Sequence, residues 1–200
     1  MSLTSLETRL CAALERLQQG SSDYDLTPDV ALPEGRVLRP AAALVAIRPG
    51  PDGAQVTLTR RASTLKHHPG QIAFPGGKCD PTDQNVQQTA LREAREEIGL
   101  PGGNVQILGQ MPGHETVTGF HVTPVVALLH APFSPQPDPR EVAEVFTVPL
   151  AHLLSIGNYS VQGRYWRGGQ RHYYTVPYGP YYIWGATARI LRSLASGMAP

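Results

Sequence analysis

Glu93, Glu96 and Glu97 crowd three carboxylates into five positions of the run Arg92-Glu93-Ala94-Arg95-Glu96-Glu97-Ile98-Gly99-Leu100. On a helix, positions i, i+3 and i+4 share one face, where like charges repel by roughly 0.2–0.5 kcal/mol per pair. A solvated face gains from interspersed lysines, and none stands among these glutamates. The arrangement is explained if hard divalent cations bind there, because Mg²⁺ and Mn²⁺ prefer carboxylate oxygens. Coordination of a hard cation is therefore the chemistry these residue types offer.

The element that must carry them is a helix. It is expected to start near Thr82 or Asp83 and to end at Gly99, a natural residue just past a helix C-terminus. At about 100° per residue, Val86, Ala90, Leu91, Ala94 and Ile98 fill an arc of roughly 140°. The three glutamates take the adjoining arc of about 100°. The helix docks by one side and presents carboxylates at the margin of its contact, as a site wall would.

Around it the chain alternates in type. Leu3, Leu6, Leu10, Ala13 and Leu17 have helical spacing over residues 3–18, with Thr4 or Ser5 as N-caps. A Ser/Asp/Pro/Gly-rich loop over 19–36 wraps the domain. Strand-like runs cover 41–48 and 55–61, separated by the turn Pro49-Gly50-Pro51-Asp52-Gly53. Residues 62–82, rich in Gly, Pro and His, read as a long functional loop.

Further strands are expected at 105–109, 122–130 and 144–148, with Pro124 at the start of the second or at a bulge. Residues 131–140 read as a loop. A late strand over 173–176 precedes a helix over 184–194, which offers Ile183, Ala186, Ala188, Ile190, Leu191 and Leu194 for packing. Strands and helices mix without a βαβ rhythm. The class is α/β (α+β) with a mixed sheet.

Two hundred residues suffice for one domain with a respectable core. Residues 1–36 are read as part of the same unit as the domain over 37–196. Hydrophobic residues make up 41% and charged residues 16%, a globular balance. The 17 basic and 16 acidic side chains nearly cancel, so no global field favours nucleic acid or an anionic membrane. Cys11 and Cys79 stand far apart, which disfavours a disulfide framework and fits a reducing cytoplasm. No secretory h-region or membrane-length apolar run is present.

Residues 92–100 resemble the second half of the Nudix box, G-x5-E-x7-R-E-U-x-E-E-x-G-U with U apolar, and Gly77 matches its opening glycine. The middle departs: Asp83 stands where the pattern has Glu, and the spacing onward to Arg92 is one residue too long. Upstream, residues 58–77 resemble the additional motif of coenzyme A pyrophosphatases, through Leu58, Thr59, Arg61, Leu65, His68, Gly70, Gln71, Ile72 and Phe74-Pro75-Gly76-Gly77. Residues 119–125 and 183–189 are similar to stretches of the same subfamily. The resemblance covers about residues 38–195.

The resemblance implies a Nudix-type α/β/α sandwich and metal-dependent hydrolysis of a nucleoside diphosphate derivative. The narrower implication is coenzyme A or acyl-coenzyme A, cut to 3′,5′-ADP and (acyl-)4′-phosphopantetheine. By position, Glu93, Glu96 and Glu97 bind Mg²⁺ or Mn²⁺ with the Gly77 carbonyl close by, and one glutamate of the set serves as general base. Arg92 orients a box glutamate through a bidentate pair. Gly76 and Gly77 let backbone approach metal and phosphate, or simply form a turn.

Arg61, His68 and Gln71 are the candidates for the substrate's phosphates, with His68 alternatively holding the loop's shape. Lys66 and His67 add local positive potential. Glu115, His121, Glu141 and Glu144 read as surface or salt-bridge residues, with a place facing the site as the other reading. The aromatics from Tyr159 to Trp184 read as packing, or as an adenine or pantetheine contact. Two rivals remain: hydrolysis of NADH or ADP-ribose, and a non-catalytic nucleotide-binding regulatory domain. The partner is a small molecule, and the N-terminal helix packs on its own domain or in a homodimer.

Overall fold

Residues 41–47 are buried without interruption, as expected of a strand covered on both faces. That strand is the centre of the fold. The computed structural model describes residues 3–27, 29–30, 32, 34–166 and 169–199. In chain order the elements are α1 (Leu3–Arg16), β1 (Ser21–Ser22), β2 (Arg39–Arg48), β3 (Gln55–Arg61), β4 (Ile72–Ala73), β5 (Gly76–Lys78) and α2 (Val86–Ile98). Then come β6 (Val105–Gln110), β7 (His114–Glu115), β8 (Phe120–Leu129), β9 (Val142–Pro149), α3 (Leu150–Leu154), β10 (Ser160–Trp166), β11 (Gly169–Thr175) and α4 (Gly185–Met198).

β1 to β9 form one mixed sheet. β2 runs parallel to β8, from Arg39 opposite Phe120 to Ile47 opposite Leu128. On its other side β2 meets β3 only at Ile47–Val56 and Arg48–Gln55, and then the two strands part. β5 takes the place beside β2, with Ala42 opposite Gly77. β4 and β9 pair with β3. The sheet is thus split between β2 and β3, and β4 and β5 line the split.

Alternate residues of a strand project to opposite faces. Ala42, Leu44 and Ala46 of β2 join Val125, Ala127 and Leu129 of β8 beneath Ala90, Ala94 and Ile98 of α2. Val45, Ile47, Val126 and Leu128 face a larger core closed by α1, α3 and α4. The result is the expected α/β/α arrangement with a mixed sheet. Leu6, Leu10 and Ala13 put α1 into that core, against α4 and β6 of its own chain.

Several elements differ from expectation, each for a local reason. α1 already includes Thr4 and Ser5, so neither is its cap, and the preceding residues lie outside the described set. α2 begins after Asn85, whose side chain accepts the Gln88 N–H at 2.9 Å, rather than at Thr82 or Asp83. Gly99 caps its other end at φ 67°, as expected. Within 62–82 the chain forms β4 and β5 rather than loop throughout.

β8 runs straight through Pro124. The Pro124 carbonyl accepts the Met111 N–H, so the missing proline N–H faces the gap between the end of β6 and the start of β7. No ladder bond is lost there. The late strand is the end of β11, whose partner β10 was not anticipated. α4 continues to Met198 from an N-cap at Trp184.

Candidate active site

Alanines make up half of the contact between α2 and the sheet, which brings the glutamates onto the glycine strand. Glu97 is 4% exposed, and its Oε2 accepts the Gly76 N–H at 3.1 Å. A Cβ placed on Gly77 would fall 2.5 Å from the Glu93 carboxylate. One on Gly76 would overlap the Ala42 carbonyl. Gly76 is thus required by close approach to the β2 backbone, while a side chain at Gly77 would displace the Glu93 carboxylate; neither glycine has a positive φ.

The ladder decides which peptide groups face the acids. The Leu44 N–H bonds the Pro75 carbonyl, and the Cys79 N–H bonds the Pro40 carbonyl. Antiparallel pairs alternate, so Ala42 and Gly77 form the hydrogen-bonded pair between them. Gly77's carbonyl is therefore turned to β2, which corrects the expectation that it adjoins the metal ligands. Gly76 has its N–H and carbonyl on the other edge of β5, the side from which Glu97 bonds it.

Arg92 organises the rest. Its Nε and one terminal nitrogen bond both oxygens of Asp83, at 3.0 and 2.9 Å. That same terminal nitrogen donates to the Lys78 carbonyl at 3.1 Å. The other donates to Glu93 at 2.9 Å and to Glu96 at 3.2 Å. The bidentate partner is thus Asp83, not a glutamate, while both glutamates are still oriented by Arg92. Asp83 is 4% exposed in its side chain, and Thr89 donates to it at 2.8 Å. The Arg92 hydrogen bonds hold its carboxyl well below the usual range. Asp83, the irregular position of the sequence pattern, is a built part of the network.

The acids differ in environment. Burial pushes Glu97 up to about 7; the Gly76 N–H and Arg61 oppose the shift, and the negative charges of Glu93 and Glu141 add to it. Burial also raises Glu93, against the Arg92 hydrogen bond. Glu96 is 59% exposed and is anchored through Arg92. Glu141 lies within electrostatic reach of both Glu93 and Glu97, which favours the site-facing reading over a salt bridge. Its loop is fixed: Gln136 and Asp138 donate N–H bonds to the Ile98 and Glu97 carbonyls, and the Glu141 carbonyl accepts from Ala62. Glu144 is instead taken by Arg60 and Tyr181, and Glu115 by Arg36. His121 lies over Gly113, where an added Cβ would collide with its ring.

The segment from Arg61 to Gln71 forms the adjoining wall. The Arg61 N–H bonds the Gln71 carbonyl, and the Gly70 N–H bonds the Arg61 carbonyl. His68 adopts φ 56°, a left-handed conformation that costs a non-glycine residue about 1 kcal/mol or more. Burial, then the charges of Arg61 and His67, lower its pKa. Asp23, from the segment after α1, acts on His68 in the opposite sense. The structure therefore joins Arg61 to Glu97 on one side and to His68 on the other. Arg61's buried Nε has no hydrogen-bond partner among the described residues.

Carboxylates and the Gly76 carbonyl are hard oxygen donors of the kind Mg²⁺ and Mn²⁺ take. Among the described residues no three His, Cys, Asp or Glu side chains are yet gathered about one position, since Arg92 draws Glu93 and Glu96 to itself. A buried Glu97 with like charges beside it, and a strand stripped of Cβ atoms beneath Glu93, fit a cation.

The NUDIX domain description matches residues 37–166. The "uncharacterized Nudix hydrolase NudL" of Photorhabdus laumondii is similar at 44% identity over 159 residues, covering 78% of this chain and 83% of that protein. The protein so described in Cronobacter sakazakii is 43% identical over 159 residues, with 78% and 81% covered. The NUDIX domain of Shewanella oneidensis NrtR, solved with ADP ribose, shares the fold at TM-score 0.54 and 16% identity, over 86% of this chain and 96% of that one. The Nudix hydrolase RenU of M. smegmatis gives TM-score 0.50 at 27% identity, over 60% and 82%. Proteins of this kind act on diphosphate anhydrides and generally use divalent ions such as Mg²⁺ or Mn²⁺. The chain belongs to the Nudix hydrolase family.

Proposed function

We propose that this Nudix hydrolase cuts the pyrophosphate of coenzyme A or acyl-coenzyme A, releasing 3′,5′-ADP and (acyl-)4′-phosphopantetheine. The observation that carries the reading is a contact. Residues 58–77 and 183–189, each similar to coenzyme A pyrophosphatase sequence, pack on one another, Ile72 and Ala188 sharing the core on the face of the sheet opposite α2. The Thr187 hydroxyl donates to the Ile72 carbonyl at 3.0 Å. A Cβ on Gly185 would stand 3.9 Å from the Gln71 amide nitrogen.

Glu93, Glu96, Glu97 and the Gly76 carbonyl would hold Mg²⁺ or Mn²⁺, which supplies charge neutralisation and lowers the pKa of an attacking water. Arg92, fixed by Asp83, keeps Glu93 and Glu96 aimed at that position. A glutamate of the set takes the proton as water oxygen bonds to one phosphorus and the bridging P–O bond breaks. Arg61 offers the substrate diphosphate a permanent charge. His68, its pKa lowered, meets the substrate neutral at pH 7, with the Gln71 amide beside it. Free Cys11 and Cys79 accord with a cytoplasmic setting.

The test is product analysis with Mg²⁺ or Mn²⁺ against coenzyme A, acetyl-coenzyme A, NADH and ADP-ribose. Formation of 3′,5′-ADP is expected. Its absence alongside brisk turnover of NADH or ADP-ribose overturns the substrate and leaves the reaction class standing.

A further inference from the structure

Residues 21–27 precede the stretch that matches the NUDIX domain, yet every second residue is bonded to it or to the elements that follow it. The Ser21 and Asp23 N–H groups bond the Gly113 and Glu115 carbonyls. Asp25 pairs with Arg189 at 2.7 Å, and the Thr27 hydroxyl accepts the His172 N–H at 3.3 Å.

A buried polar trio fastens the segment. His114 is 0% exposed, with the Ser21 Oγ 2.8 Å from its Nδ1 and an Asp23 oxygen 3.2 Å from its Nε2. A carboxylate only accepts, so the Nε2 hydrogen goes to Asp23. The second Asp23 oxygen accepts the Val117 N–H at 2.8 Å. These are the residue types of a nucleophilic triad, but no substrate reaches a ring without exposed surface. The trio instead fixes the Asp23 carboxylate, whose side chain is 16% exposed.

Asp23 and Gly185 line one cleft, together with Ser22, Asp25 and His172. Gly185 adjoins the Gln71 amide, and the Gln71 side chain in turn bonds the His68 ring. Asp23 supplies negative charge at that ring, against the positive charges of Arg61 and His67. Asp25, the other acid of the cleft, is taken by Arg189. His68 holds a left-handed backbone, which persists only where the surroundings impose it.

We infer that Asp23 is a positioning residue for His68, held by Ser21 and His114 so that the N-terminal segment forms part of the substrate wall. The inference rests on the reading in which His68 meets the substrate's phosphates. Asp23 acts through the imidazole: a nearby carboxylate favours the tautomer and rotation that turn a ring N–H toward it. Its loss then shows in substrate binding rather than in the chemical step.

Two measurements on the whole chain test this. In ring-proton NMR of metal-free protein, with His68 assigned by its absence in His68→Gln, His68 should titrate lower in Asp23→Asn than in wild type. In turnover of coenzyme A, or of whichever diphosphate is cut, Asp23→Asn should raise KM about fivefold and leave kcat within about twofold. In a His68→Gln background the same change should move KM by less than about twofold, because coupled residues do not add. Ser21→Ala slackens His114 without removing the carboxylate, and should give a smaller rise in KM that is likewise lost without His68; it carries the test if Asp23→Asn does not fold. An unmoved His68 titration, equal factors in both backgrounds, or a KM that falls in both through simple relief of repulsion would overturn the assignment. An unchanged KM in His68→Gln alone would instead discard the contact between His68 and substrate, while the titration still reports whether Asp23 governs the ring.

Discussion

Between α2 and the sheet, half of the buried cluster is alanine, with Ala90 and Ala94 on the helix and Ala42, Ala46 and Ala127 on the strands, beside Leu44, Ile98, Leu100, Val125 and Leu129. On its opposite face the contacts are Leu6, Leu10, Ile47, Leu58, Leu191 and Leu194. Separation between packed elements follows the size of the side chains between them. Small ones let α2 settle close enough for Glu93 to cover Gly77 and for Glu97 to reach the Gly76 N–H. Large ones bury more apolar area, at about 25 cal/mol per Å². One face is built for proximity and the other for stability, so the two should fail separately.

The largest expected effect lies on the close-packed face. Glu97→Gln should lower turnover about a thousandfold, or about 4 kcal/mol of barrier, since a neutral amide is a poor ligand for a hard cation. Its amide oxygen still accepts the Gly76 N–H, so circular dichroism should show an unchanged fold. Unchanged turnover would mean that the carboxylate has no part in the chemistry.

Leu191→Ala on the other face should cost about 3 kcal/mol of stability, read from denaturant unfolding. Turnover per folded molecule should stay near wild type. A specific loss of kcat there would dissolve the division between faces.

Glu97 itself sets a pH dependence of at most about 3 kcal/mol. Its folded pKa of about 7 lies above the ordinary 4.5, so between these values the native chain binds the proton that the unfolded chain has lost. Its contribution is fully favourable below pH 4.5 and declines as pH rises through 7. Metal-free wild type should therefore lose thermal stability over that window, and Glu97→Gln should lose less and be the more stable of the two at pH 8. Activity with metal should run the other way, rising toward alkaline pH as ligands and water deprotonate. Parallel thermal profiles for the two proteins would discard the buried carboxyl as the source.

Asp83→Asn should act indirectly, by loosening Arg92's hold on Glu93 and Glu96. A loss of about tenfold in turnover, partly recovered at high Mn²⁺, is expected of a group one step behind the ligands. A loss as deep as that of Glu97→Gln would promote Asp83 to the reacting atoms.

Much of this was legible where neighbours in the chain dictate structure. The apolar spacing of 86–98 gave α2 and its docking arc, and Gly99 its end, because helical faces are fixed by short-range periodicity. β2, β3 and β9 were visible as strand-like runs. The N-terminus of α2 was misplaced because Asp83 looks like a cap, while its oxygens are used by Arg92 nine positions on. The Gly76 and Gly77 roles depend on which residue pairs with Ala42, a register that sequence spacing does not carry. The β10–β11 hairpin lacks apolar alternation and is defined by main-chain pairing. Glu141 reaches the acids only because its loop is pinned to the end of α2.

The free edge of β5 has a consequence outside catalysis. A strand edge with exposed amides and carbonyls is a template on which another chain adds itself, and proteins guard such edges with charge. Here Glu97 takes the Gly76 amide and Arg92 takes the Lys78 carbonyl. The side chains that would handle diphosphate thus also occupy two of the main-chain groups on which another strand would pair. Selection against aggregation would retain Glu97 and Arg92 even in a descendant that had stopped turning over substrate.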